Sequence, residues 1–386
     1  MFSNRTNWKL SHNRFTLALE QVRASGRQIL DLTVSNPTRV GLRYHEAVIL
    51  NALASPQALD YDPQPKGLLA AREAAARYYA ESHRISGLDP ERIVLTTSTS
   101  EGYSYVFRLL CNTGDELLVP KPSYPLFEFL ADLQDVRLVP YPLIYDHGWQ
   151  IDLHSLQSAI SQRTRGIVLV HPNNPTGSYV KPEEAESLNA FCREHGLALI
   201  VDEVFLDYSF AGKPSPTFAA NETTLTFTLS GLSKISALPQ MKVAWIVVSG
   251  PPQAISAAMP PLEVIADTYL SMNAPLQWAM PALLDQRKDI QQQLSQRILN
   301  NLQELDHQLA RQKSWERLMI EGGWYAILRV PVTQSDEDLA IELLQGKLVL
   351  VHPGHFYDFP RDGYLVLSLI TPEKDFAEAL KRIFHS

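Results

Sequence analysis

Six short apolar runs, separated by stretches of helical spacing, constrain this 386-residue chain more than any other feature. They fall at 92–97 (RIVLTT), 116–119, 166–170 (GIVLV), 197–201 (LALIV), 225–229 and 243–248. Runs this apolar predict strands covered on both faces. Residues 68–80, 101–111 and 183–195 carry apolar positions at helical spacing, Gly114-Asp115 supplies a turn, and Gly196 can close the third helix with a left-handed cap. Strands alternating with helices from about 61 to 249 predict an α/β unit, a mostly parallel sheet sandwiched by helices.

The last third reads differently. Ile290, Leu294, Ile298, Leu302, Leu305 and Leu309 recur at steps of four and three, one apolar stripe along a long helix. The stripe fits a coiled coil or, since it stops at Trp315, a helix joining two domains. A strand near 324–330, a helix capped by Ser335 and ended by Gly346, a strand at 347–351 and a final helix with Pro372 at its first position suggest a smaller α+β domain. The expected division is an N-terminal arm and small-domain segment at 1–45, a large domain at 46–275 and a small domain at 276–386. The length itself exceeds one simple core.

Composition narrows the function. The net charge is -8 and no long basic run occurs, which opposes binding to nucleic acid or an anionic membrane. No stretch of eighteen apolar residues is present, and the N-terminus lacks the apolar core of a signal peptide. Cys111 and Cys192 read as small buried thiols, which fits a reducing, cytoplasmic compartment. Asn221-Glu222-Thr223 then matches a glycosylation sequon by chance, and no metal site is assigned.

Ligands of an open parallel sheet bind beyond the carboxyl ends of its strands. After 92–97 come Ser98-Thr99-Ser100-Glu101-Gly102, hydroxyls and free amides at a helix start that suit a phosphate. Taken alone, an ordinary helix cap accounts for them. After 166–170 comes His171-Pro172-Asn173-Asn174-Pro175-Thr176-Gly177, a stiff loop able to hold the Asn174 amide towards a ligand or to serve as a surface turn. Asp202-Glu203 follows 197–201, and a buried Asp202 needs a donor or cation, such as a pyridinium nitrogen or an Arg or Lys. After 225–229 come Ser230-Gly231-Leu232-Ser233-Lys234, and then Lys242. A partly desolvated lysine favours its neutral, nucleophilic form; Lys242 could hold a phosphate as a point charge.

In combination and in this order, these residues resemble the fold type I pyridoxal-5′-phosphate (PLP) dependent aminotransferases of the class I/II, aspartate aminotransferase-like group. The likeness covers most of the chain. It includes Tyr61-x-x-x-x-x-Gly67, Gly114-Asp115-Glu116, Pro122-Ser123-Tyr124-Pro125, Asn174-Pro175-Thr176-Gly177, Asp202-Glu203, Ser233-Lys234 and Pro353-Gly354. It implies a large α/β domain with a mostly parallel sheet plus a smaller α+β domain, and transamination between an amino donor and a keto acceptor through a Lys234 Schiff base. It further implies that Asp202 pairs with the pyridinium nitrogen, Asn174 donates to the phenolic oxygen and Tyr124 stacks on the ring. The Thr99 and Ser100 amides, Ser233 or Ser230, and Lys242 would hold the phosphate. Tyr61 would reach the phosphate of a neighbouring subunit in a homodimer.

Three positions depart from the family. Phe205 stands where a tyrosine is usual, and Lys242 where an arginine is usual. Val366, in Tyr364-Leu365-Val366-Leu367-Ser368, replaces the arginine that clamps the substrate carboxylate. Arg39 and Arg329 are the substitutes considered, and either could equally be a solvated surface arginine. Trp324, Tyr325 and Phe356 fit an aromatic pocket or small-domain core. The missing arginine also admits a PLP-dependent lyase, decarboxylase or amine-substrate enzyme. A non-catalytic cofactor-binding module is opposed by the joint presence of Lys234, Asp202 and Asn174.

Overall fold

The computed structural model describes residues 2–8, 13–210 and 216–385. Eight strands form its main sheet: β1 (Ile93–Thr96), β2 (Glu116–Lys121), β3 (Arg137–Tyr145), β4 (Trp149–Ile151), β5 (Thr164–Val170), β6 (Ala198–Asp202), β7 (Thr226–Gly231) and β8 (Ala244–Ser249). Their spatial order is β1-β8-β7-β6-β5-β2-β3-β4. All run parallel except β8, which opposes both β1 and β7, and β4, which turns back on β3.

The unbroken apolar runs are explained by helices on both faces. Val94, Phe227, Leu229, Ile200 and Ile246 pack with helices Thr99–Leu110 and Pro252–Thr268. On the other face, Ile93, Trp245 and Val247 meet helices Leu69–His83 and Ala274–Asp285, while Ile167, Leu199 and Val201 meet Pro182–His195. Each fully buried large apolar side chain of this kind contributes roughly 1.5–3 kcal/mol. Strands β3 and β4 were not anticipated from the sequence. Most of β3 is open to solvent on one side and carries Pro140 and Pro142. Both prolines precede the stretch that β4 covers, where an edge strand tolerates the missing donor.

A second sheet is antiparallel: β9 (Glu316–Arg317), β10 (Tyr325–Arg329), β11 (His352–Pro353) and β12 (Tyr364–Ser368), in the order β9-β10-β12-β11. The N-terminal segment joins this part, because Leu30–Asp31 pairs in parallel with Val349–Leu350. Helix Arg287–Leu309 buries Ile290, Leu294, Ile298 and Leu305 and lies against Glu373–Phe384 and strand β9, so its stripe packs within the chain.

Three local expectations are corrected. Gly346 sits inside a π-helical turn, Leu343–Lys347, which ends at Leu348 with φ 57°. Of the strand expected at 347–351 only Val349–Leu350 forms; Lys347 belongs to the π-helical turn, and β11 begins beyond it at His352, in a different sheet. Pro372 caps the last helix from outside. Cys192 is buried and Cys111 half-buried, both as free thiols. No helix among the described residues is long and apolar enough to cross a membrane.

Candidate active site

Strand register gathers the expected site residues at one end of the main sheet. Strand β8 begins there, because Ala244 pairs with both Thr96 of β1 and Gly231 of β7. Thr99 and Ser100, Ser233 and Lys234, and Lys242 therefore leave neighbouring strands at a common edge. Asp202, the last residue of β6, lies beside Val170 of β5 and Leu229 of β7. Asn174 follows β5 and Tyr124 follows β2, the next two strands along.

At the helix start, Ser98 Oγ accepts from Glu101 N at 3.1 Å, and the Glu101 carboxylate accepts from Thr97 N at 2.6 Å. An ordinary cap is thus present. It leaves the amides of Thr99 and Ser100 as first-turn donors without an intrahelical acceptor. Lys242 is exposed in the left-handed region at φ 51°. Ser230 is buried with its hydroxyl towards the Glu203 carbonyl at 3.5 Å, whereas Ser233 is half-buried.

Asn173 builds the loop that presents Asn174. Its Oδ1 accepts from Thr176 Oγ1 at 3.0 Å, and its carbonyl accepts from Gly177 N at 2.8 Å. Asn174 itself is buried with Oδ1 lacking any hydrogen-bond partner. The same is true of Ser123 Oγ, beside Tyr124. Tyr124 is 48% exposed.

Asp202 and Lys234 keep some surface open to the site but are otherwise enclosed by protein. Burial pushes the Asp202 carboxyl up to about 6, against the opposing pull of the Val204 amide, the Tyr103 hydroxyl and the Lys234 charge. Burial pushes the Lys234 amine down to about 8, with Asp202 pulling the other way. Lys234 Nζ lies 4.6 Å from the centroid of the Trp324 ring and 5.3 Å from that of Phe205. Trp324 is therefore both part of the core around the second sheet and a wall at Lys234. Phe356 packs edge-on against Phe15 at 5.4 Å. Asp202 has no cation at ion-pair distance among the described residues, so this arrangement suits a guest that brings a positive N–H donor.

Val366, at the position where the resemblance expects an arginine, is 1% exposed, held in β12 between Ile327 of β10 and His352 of β11. Arg329 is exposed and ion-paired with Glu316, and so is occupied. Arg39 is exposed, and its guanidinium makes no hydrogen bond or ion pair among the described residues. Tyr61 is 81% exposed on the single chain.

The local sequence does not single out Tyr103, a helix residue that reads as ordinary core. Nor did it show that Lys181 and Glu321, which form an ion pair, bind the asparagine loop to the segment before Trp324.

A parallel sheet whose strand ends converge on an enclosed lysine, a buried carboxylate and an unpartnered amide defines a cofactor-dependent α/β enzyme. The family described as aminotransferase class I and II matches residues 27–383. The alanine aminotransferase of Mycobacterium tuberculosis H37Rv is 27% identical over 381 residues, 94% of this chain and 86% of that protein. The glutamate-pyruvate aminotransferase of Escherichia coli K12 is 30% identical over 268 residues, 69% and 65% of the two chains. In fold, the chain is similar to an alanine aminotransferase from Pyrococcus furiosus, with a TM-score of 0.90 at 21% identity over 99% of this chain and 98% of that one. It is also similar to an Escherichia coli aminotransferase, at 0.86 and 23% over 99% and 97%. This chain belongs to the class I and II aminotransferase family, with the fold type I architecture, and is a transaminase. Membership implies PLP as its cofactor.

Proposed function

We propose that the enzyme moves an amino group between an α-amino acid and a 2-oxo acid with PLP attached through Lys234. The observation that carries this reading is an enclosed lysine near an enclosed carboxylate that has no cation at ion-pair distance among the described residues. When bound, PLP supplies the electron sink that makes the substrate's α-proton removable. Lys234 would hold the cofactor covalently, and its amine would carry the proton to and from the substrate Cα. Asp202 keeps the ring nitrogen protonated. Asn174 would donate to the phenolic oxygen, and Tyr124 would lie against the ring. The amides of Thr99 and Ser100, with Ser233 and Lys242, hold the phosphate.

The large domain proposed at 46–275 holds the main sheet and most of its helices, while helix Ala274–Asp285, which packs on the same sheet, runs past that boundary. A small domain at 276–386, joined by residues 1–45, supplies the far wall. Tyr61 of one subunit completes the phosphate site of the other in a homodimer. Relatives named for alanine and for glutamate-pyruvate transamination support a small or acidic amino donor. Of the two arginines weighed for the substrate carboxylate, Arg39 has a guanidinium without an ion pair among the described residues, whereas Arg329 is paired with Glu316.

The test is an absorbance titration of the full-length, PLP-loaded protein. L-alanine or L-glutamate should bleach the visible band of the lysine-bound cofactor and release the matching 2-oxo acid, while ethylamine should not. Lys234→Ala should lack the band. Discharge by the amine alone, or an unchanged band in Lys234→Ala, would sink the proposal.

A further inference from the structure

Among the described residues, one side chain donates to Asp202. The Tyr103 hydroxyl reaches Asp202 Oδ2 at 3.1 Å, while the Val204 amide donates to Oδ1 at 3.1 Å. Tyr103 is 1% exposed, and its ring is wedged edge-on against Phe107 at 5.8 Å and Phe127 at 5.2 Å. That packing fixes where the hydroxyl sits. The neighbouring phenol, Tyr141, cannot substitute, because its hydroxyl is engaged by the Val168 carbonyl at 2.8 Å. The other charged groups near Asp202 are Lys234, which favours its ionised form, and Glu203, which opposes it.

Each carboxylate oxygen therefore has one donor, and the remaining lone pairs are free for a third. An ionised Asp202 satisfies both donors. A neutral one would be a weaker acceptor for the Val204 amide, and a proton on Oδ2 would oblige the Tyr103 hydroxyl to accept rather than donate. We propose that Tyr103 is a positioning residue that keeps Asp202 ionised and aims it at the cofactor's ring nitrogen. One helix, Thr99–Leu110, would then set both ends of the site: its first amides the phosphate end, and Tyr103 the nitrogen end. The proposal rests on the reading of Asp202 given above.

Tyr103→Phe keeps the ring and removes only the hydroxyl. In the full-length, cofactor-free protein, the pH midpoint of the Asp202 carboxyl band, assigned by its loss in Asp202→Asn, should rise by about one unit. The dissociation constant for PLP should rise roughly tenfold, the scale of one hydrogen bond to a charged group. In the Asp202→Asn background, Tyr103→Phe should change PLP affinity less than twofold, which separates action through Asp202 from a packing defect. An unmoved carboxyl midpoint, or an equal loss of affinity in both backgrounds, would overturn the role of Tyr103. If Asp202→Asn alone leaves PLP affinity and ring protonation unchanged while the carboxyl midpoint still responds to Tyr103→Phe, then the reading of Asp202 fails and the Tyr103 contact stands without a cofactor role.

Discussion

What faces the ammonium of Lys234 is the ring of Trp324 at 4.6 Å and that of Phe205 at 5.3 Å, with Asp202 near enough for its charge to be felt. Ring faces attract a cation, but less than the water they displace, so the free amine titrates near 8. The departure at Phe205 is thus part of this environment: it contributes a wall at the lysine and no hydroxyl. Only the neutral amine attacks an aldehyde. The rate of PLP uptake by the cofactor-free protein should therefore rise with pH through about 8, by roughly tenfold between pH 7 and 9, and then level off. Removing the acidic neighbour, as in Asp202→Asn, should move the midpoint to lower pH, because it withdraws the charge that stabilises the ammonium. Stopped-flow absorbance across this range measures both effects. A rate still climbing at pH 10 would show that Lys234 is not desolvated.

The asparagine loop works as an element because it is clamped from outside. Gly177 has φ 67°, its carbonyl accepts from Glu321 N at 3.3 Å, and a Cβ added to it would overlap the Gly322 carbonyl oxygen. Gly177→Ala should lower stability by roughly 2–4 kcal/mol, strain and backbone overlap combined. Gly87→Ala, with φ 81° and open space around the added carbon, should cost only about 1 kcal/mol. Urea midpoints of the two variants compare them directly, and equal losses would show that the contact with Gly322 is unimportant. This clamp marks where sequence reading stops. Residues such as Asn174 and Lys234 are legible because each follows an apolar strand run by a few positions, and register carries them to one sheet edge. Tyr103, Glu321 and Trp324 act through partners 99, 140 and 90 positions away, respectively. Nothing in local periodicity separates such residues from ordinary core or surface. The π-helical turn at Leu343–Lys347 escaped for a related reason, since Gly346 has the composition of a stop but not its position.

Considered alone, the chain leaves apolar side chains outside the site's edge. Leu59 is 91% and Tyr61 81% exposed. The turn Pro56–Leu59 packs on helix Ala274–Asp285, and Tyr269 and Leu270, both exposed, lie just before that helix. A two-fold interface uses each patch twice, so a change there is felt twice. Buried across such an interface, each leucine contributes roughly 1.5–3 kcal/mol. Leu59→Asp should therefore weaken the dimer at least a hundredfold, read by sedimentation at micromolar protein. Tyr61→Phe tests a different part of the same proposal. It should leave the sedimentation of the dimer unchanged yet raise the PLP dissociation constant roughly tenfold, because the lost hydroxyl would have met a phosphate across the interface. A wild-type protein that sediments as a monomer while holding PLP tightly would refute both expectations. In that case Thr99, Ser100, Ser233 and Lys242 would have to form the phosphate site within one chain.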